Sequence, residues 1–154
     1  MKKIMMFRGL FAAAFMMLLF GCQYHYGEKS MMFSFASGKD WEISSEEQDV
    51  VVRCTNADFV IAKVNYSVYD MTTPEGALSD RGEVVWQSSA EDFVNISEWC
   101  SVKQDGRTIT LHFESNPNNE TRVVTVRFTS LTSDVSSSGV VLGVSQQPFG
   151  LPVE

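Results

Sequence analysis

The chain has few of the side chains from which enzymes build active sites. It contains only two histidines, His25 and His112, and it shows no Cys/His metal spacing, G-x-S-x-G elbow or phosphate-binding glycine loop. His112 falls on the outward side of a predicted strand, which favours a solvated surface position. The acidic stretch SSEEQD, residues 44–49, is typical of a turn rather than of paired catalytic carboxylates. The sequence therefore predicts a protein that is not an enzyme and needs no metal or cofactor.

A basic cluster is also missing. The chain has 12 Lys and Arg residues against 19 Asp and Glu residues, a net charge of −7. Lys2, Lys3 and Arg8 precede every acidic residue, so a form without residues 1–21 keeps nine basic residues and a net charge of −10. No Lys/Arg patch would release counterions from a phosphate backbone, and we therefore expect no nucleic-acid partner.

The longest hydrophobic run is too short to cross a membrane. It extends over 13 uncharged residues from Gly9 to Gly21, fewer than the ~18 of a spanning helix but enough for the apolar region of a secretory signal. The run ends in Leu19-Phe20-Gly21-Cys22, which resembles a bacterial lipobox. The resemblance implies a lipoprotein signal peptide over 1–21 and acylation at Cys22. Residues 22–30 would then be a polar tether, and the chain an outer-membrane lipoprotein of the bacterial cell envelope, with the membrane as partner.

Cysteine is scarce, with three residues in the chain. An odd number leaves one unpaired in a secreted protein. If Cys22 is acylated, Cys54 and Cys100 remain as an even pair. They either form a disulfide in an oxidising compartment or are two small buried apolar residues on separate strands.

A sustained helical period is absent from the body of the chain. Residues 31–148 show strand-like alternation throughout. The clearest hairpin is WCSVKQDGRTITLHF, residues 99–113, in which Asp105-Gly106 is the expected two-residue turn. Ile109, Leu111 and Phe113 share the predicted inner face of its second strand. About seven such strands predict an all-β fold over residues 31–150, an Ig-like antiparallel β-sandwich.

Residues 94–147 carry a more specific pattern. Trp99 opens a strand, TITLHF and an asparagine turn follow, Arg122 leads the next strand, and the last strand ends in V-x-Q at Val144 and Gln146. This pattern resembles the BACON domain, an Ig-like sandwich common in Bacteroidetes lipoproteins and glycan-degrading enzymes. The resemblance implies carbohydrate binding, although the same fold also serves as a spacer.

Sugar binding needs flat aromatic faces with hydrogen-bonding groups beside them. The turn-rich stretch YDMTTPEGALSDRG, predicted as a loop insertion near 67–82, suggests where such a site lies. The candidate ligand-binding residues in and beside it are Tyr66, Tyr69 and Trp86. Two of them also have a core interpretation. Tyr66 would share a face with Val60, Ala62 and Val64, and Trp86 with Val84.

The sequence thus favours a lipid-anchored envelope protein with a non-catalytic, glycan-binding Ig-like domain. The alternative is a spacer or adhesion lipoprotein that docks an envelope protein partner through a sheet edge or the 67–82 stretch.

Overall fold

The computed structural model describes residues 29–35, 42–73, 75–87, 92–136 and 140–150. In these ranges the regular secondary structure consists of twelve strands, which confirms the all-β prediction. The number exceeds the expected seven partly because three strands have only two residues. The described residues include no helix long and apolar enough to cross a membrane. The predicted signal peptide, Cys22 and residues 23–28 of the tether lie outside the described residues.

Most strands belong to two five-stranded sheets. The first, called the β9 sheet below, has the order β2-β4-β9-β8-β7 and is antiparallel throughout. Its strands are β2 (Phe33–Phe35), β4 (Gln48–Cys54), β7 (Val94–Ser97), β8 (Cys100–Asp105) and β9 (Thr108–Phe113).

The second sheet, called the β5 sheet, has the order β3-β12-β10-β5-β6. Its strands are β3 (Glu42–Ile43), β5 (Phe59–Asp70), β6 (Ala77–Val85), β10 (Glu120–Ser130) and β12 (Val141–Gln146). All its pairings are antiparallel except β12 with β3. A separate parallel pair joins β1 (Lys29–Ser30) to β11 (Val135–Ser136), so the end of the predicted tether is part of a strand.

One apolar core lies between the two sheets. Ile109, Leu111 and Phe113 are fully buried on β9, as the alternation predicts, and Val124 and Val126 face them from β10. Successive side chains of a strand point to opposite faces, so every second residue of these strands enters the core. Burial of this apolar surface is the main favourable term in folding.

Buried polar side chains close the core at one end. Gln146, fully buried on β12, donates to the Glu114 carbonyl at 2.9 Å and so links the two sheets. Asn116, 1% exposed, donates to the carbonyls of Glu120 and Gln147 at 2.8 and 3.0 Å. Buried polar groups are costly unless hydrogen-bonded, so these amides hold the turn in one conformation.

Two details of the predicted strands need correction. Asp105 pairs with Thr108, so the two turn residues of the β8–β9 hairpin are Gly106 and Arg107, with Gly106 at a φ of 54°. The predicted loop insertion near 67–82 is mostly strand, because β5 continues to Asp70 and β6 begins at Ala77. The stretch was predicted as a loop because it is rich in turn-forming residues, and the β5–β6 pairing was therefore missed.

Candidate functional site

The three predicted aromatic residues do not form a common surface. Trp86 is 9% exposed and belongs to the core, with its backbone N–H donating to the Ala62 carbonyl at 3.3 Å. Tyr66 is partly buried and packs against the core. Tyr69 is 37% exposed and lies on the opposite face of β5. Of the three, Tyr69 is therefore the one placed to contact a ligand on the sheet surface.

A β-bulge sets the direction of Tyr66. Phe128 pairs with Ile61 and Arg127 with Lys63, which leaves Ala62 as the extra residue. An extra residue reverses the alternation beyond it. Tyr66 therefore shares the core side with Val64, as expected, whereas Ala62 is exposed and does not belong to that face.

The Tyr66 ring lies against Gly82, the residue directly opposite it on β6. A Cβ atom at Gly82 would come within 2.3 Å of the Tyr66 ring, so the close approach requires glycine. Trp99 contacts the same ring edge-to-face at a centroid distance of 5.8 Å. Desolvation raises the pKa of the Tyr66 hydroxyl, and the Asp80 carboxylate raises it further.

The outer face of the β5 sheet has a shallow depression of about 380 Å³ above this contact. We call it the trough. Asn65 and Ser67 of β5 line it from one side, and Glu83 and Arg81, their cross-strand partners on β6, from the other. Tyr66 and Gly82 also line the trough, although each lies on the side of its strand that faces the core.

Asn65, which lines the trough, has an unpaired amide oxygen. Its Oδ1 is buried and has no hydrogen-bond partner in the described structure. A buried acceptor without a donor costs about 1–3 kcal/mol. Rotation of the side chain toward the trough would bring this oxygen within reach of a ligand hydroxyl, which would recover that cost.

The borders of the trough differ in character. Tyr69 lies two residues beyond Ser67, roughly 7 Å along the strand, with exposed Leu78 as its cross-strand partner. At the other end Lys63 and Glu83 form an ion pair at 2.6 Å. A second depression, lined by residues 78–81, continues along the same edge of the sheet. The trough can therefore offer an aromatic face, an amide and charged hydrogen-bonding groups to one ligand.

Sequence reasoning selected Tyr69 but missed Asn65, Arg81 and Glu83. The usable signal was the period-2 series Asn65, Ser67 and Tyr69, which places three side chains on one face of β5. The β6 residues could be added only with the register of the β5–β6 pair, which the predicted loop concealed.

Cys54 and Cys100 are both buried free thiols. Cys100 pairs with Phe113, which pairs with Gln48 at the start of β4, whereas Cys54 ends β4. The two cysteines are therefore roughly 20 Å apart along the strands, too far for a disulfide. Burial raises the pKa of the Cys100 thiol to about 12. The structure thus agrees with the interpretation of two buried apolar side chains.

Comparisons with known proteins support the fold. No protein-family model matches the chain, and no curated protein does. A protein from Bacteroides thetaiotaomicron, solved by NMR, is similar at 16% identity with a TM-score of 0.52, over 80% of this chain and 91% of that one. A chain from a study of T-cell specificity and activation by the superantigen toxic shock syndrome toxin-1 matches at 11% identity and a TM-score of 0.35, over 77% of this chain and 99% of that one. The first similarity shows a shared all-β fold.

Proposed function

We propose that this chain is a lipid-anchored cell-envelope protein whose sandwich binds a glycan, without catalysis, in the trough. The lining of the trough carries the proposal, because Asn65, Arg81 and Glu83 place an amide and charged hydrogen-bonding groups together, as a ligand rich in hydroxyl groups requires. Tyr69 adds an exposed ring on the same face of β5. The carbohydrate binding implied by the BACON resemblance agrees with this chemistry.

Glycan binding can be tested with the detergent-solubilised full chain on a glycan array and in mucin pulldown. Tyr69→Ala and Asn65→Ala should each weaken binding about tenfold, equivalent to 1.4 kcal/mol. Phe149→Ala is the matched control, because Phe149 is 73% exposed but lies in the final turn, outside the trough. Absence of binding by the unaltered chain, or an equal loss with Phe149→Ala, would reject the proposal.

The anchor is tested separately. Cys22→Ser removes the sulfur that the lipobox resemblance assigns to acylation, and the protein should then move from the membrane fraction to the soluble fraction. Two acyl chains hold a protein stably at a membrane, whereas a chain without them has no comparable apolar anchor. Retention of the variant in the membrane fraction would contradict the assignment.

A second candidate function is docking of an envelope protein at the β6 edge. Within the described strands β6 pairs only with β5, and it exposes Leu78 and Val85, the latter 72% exposed. An open strand edge can accept an extended peptide. Co-purification from solubilised envelope should then yield one stoichiometric protein. Val85→Asp should reduce its recovery while leaving glycan binding intact, because Val85 lines neither depression.

A further inference from the structure

A compact cluster of charged side chains lies on the outer face of the β9 sheet, whereas the trough lies on the β5 sheet. Asp49 of β4 and His112 of β9 are cross-strand partners. Glu47 lies two residues before Asp49 and Glu114 two residues after His112, so antiparallel pairing brings the two glutamates together as well. One oxygen of each glutamate and one His112 ring nitrogen lie within 4.8 Å of one another.

The imidazole is oriented toward the two glutamates. Nδ1 of His112 lies 2.7 Å from Asp49 Oδ1, which accepts its proton in a hydrogen bond. Nε2 lies 3.5 Å from Glu114 Oε1 and 4.0 Å from Glu47 Oε1. Phe93 contacts the ring edge-on at a centroid distance of 6.2 Å. Nε2 thus faces two carboxylates, while a third carboxylate, that of Asp49, fixes the orientation of the ring.

Three carboxylates of the cluster surround a single imidazole. Glu47, Asp49 and Glu114 have no ion pair with a lysine or arginine among the described residues. Like charges placed opposite each other on paired strands are destabilising, and here Glu47 meets Glu114. A bound cation would relieve this repulsion.

We propose that Glu47, His112 and Glu114 bind a divalent transition metal ion, with Zn²⁺ as the first candidate, and that Asp49 positions His112 for it. Zn²⁺ binds imidazole nitrogen and carboxylate oxygen at about 2.0–2.2 Å, so tetrahedral ligands lie roughly 3.4 Å apart. The 3.5 and 4.0 Å separations already approach that spacing. An Asp that accepts from the second ring nitrogen is the usual support of a metal-bound histidine.

The ligand set argues for a transition metal rather than Ca²⁺ or Mg²⁺. Those ions prefer all-oxygen coordination, whereas imidazole suits Zn²⁺, Cu²⁺ or Ni²⁺. Three protein ligands would leave a fourth position for water. This inference departs from the expectation that the protein needs no metal, which rested on sequence spacing alone.

Zinc binding can be measured by calorimetric titration of the EDTA-treated, dialysed full chain with Zn²⁺. One Zn²⁺ ion should bind per protein chain. His112→Gln and Glu114→Gln should each weaken the affinity at least about 100-fold, and Asp49→Asn, which changes only the positioning group, about 10–100-fold. Glu42→Gln is the matched control, because Glu42 is an exposed carboxylate on the other sheet.

Thermal unfolding separates metal binding from damage to the fold. Zn²⁺ should raise the Tm of the unaltered chain and of Glu42→Gln by mass action, but not that of His112→Gln. Without Zn²⁺ all three should unfold cooperatively. The proposal is overturned if the unaltered chain binds no Zn²⁺, if binding survives His112→Gln and Glu114→Gln, or if Glu42→Gln lowers it equally. Mg²⁺ should give no comparable shift, and an equal one would also count against it.

Discussion

The two sheets share one core but present different chemistry on their outer faces. On the β5 sheet, Asn65 lies beside Ser67 and opposite Glu83, and the charges of Lys63 and Glu83 neutralise each other. On the β9 sheet, three carboxylates surround His112, and none of them has a lysine or arginine partner among the described residues. Packing makes most inward positions apolar, whereas outward positions carry no such restriction. Differences in function should therefore be sought in every second residue of each strand.

The largest expected effect distinguishes a structural amide from a binding amide. Asn116→Ala removes the donor of two hydrogen bonds to backbone carbonyls and should lower the free energy of unfolding by about 2–3 kcal/mol. Asn65→Ala removes a buried oxygen that has no partner in the described structure, so the free energy of unfolding should not fall. Urea denaturation of both variants measures the difference.

The same two variants test whether Asn65 belongs to a binding surface. If Asn65 belongs to a binding surface, its replacement should reduce glycan binding while stability is kept, whereas Asn116→Ala should reduce stability first. Equal destabilisation by the two substitutions would show that Asn65 is a structural residue, and the trough would lose its main support.

Much of the fold could be predicted because alternating apolar residues show which face of each strand is buried. Ile109, Leu111 and Phe113 alternate with polar residues, so their face and the antiparallel hairpin followed from the sequence. Ala62 could not be placed in the same way, because it is exposed although the alternation put it on the core face with Val64 and Tyr66. The bulge at Ala62 interrupts the period inside an unbroken β-branched and aromatic run, and no residue type marks it.

The outer-face clusters could not be predicted for a different reason. Asp49 and His112 are 63 positions apart in the chain, and only the β4–β9 register makes them neighbours. The spacings E-x-D at 47–49 and H-x-E at 112–114 are visible in the sequence but become informative only when the strands are paired. Tyr69 could be selected because it is an aromatic residue beside turn signals.

The next effect concerns the two faces of the β5 sheet itself. A methyl group at Gly82 would meet the Tyr66 ring on the core side at 2.3 Å, whereas one at Gly143 meets only Thr125 Cγ2 at 3.8 Å on the outer side. Gly82→Ala should therefore cost about 1–3 kcal/mol through displacement of the ring. Gly143→Ala should change stability by about 0.5 kcal/mol or less.

Thermal unfolding of both glycine variants gives the stability difference, and tyrosine fluorescence reports whether the Tyr66 environment changes in Gly82→Ala. Because the trough lies above the Tyr66–Gly82 contact, Gly82→Ala should also weaken any glycan binding. Equal stability of the two variants would show that the ring moves aside without cost, and that the core contact does not shape the trough.

The smallest effect concerns the exposed ion pair of Asp58 and Arg107. Arg107 donates to Asp58 at 2.6 Å and holds the pKa of that carboxyl below its ordinary value, mainly through the hydrogen bond. A lowered folded-state pKa adds stability that is present above the unfolded value of about 3.8 and is lost as the pH falls through the folded value. The Tm difference between the unaltered chain and Asp58→Asn should thus be small near neutrality, because both groups are exposed, and should vanish on acidification. Asp105→Asn is the matched control, at a carboxylate that ends β8 and has no ion pair among the described residues. A difference that grows at low pH would mean that Arg107 does not stabilise the ionised Asp58.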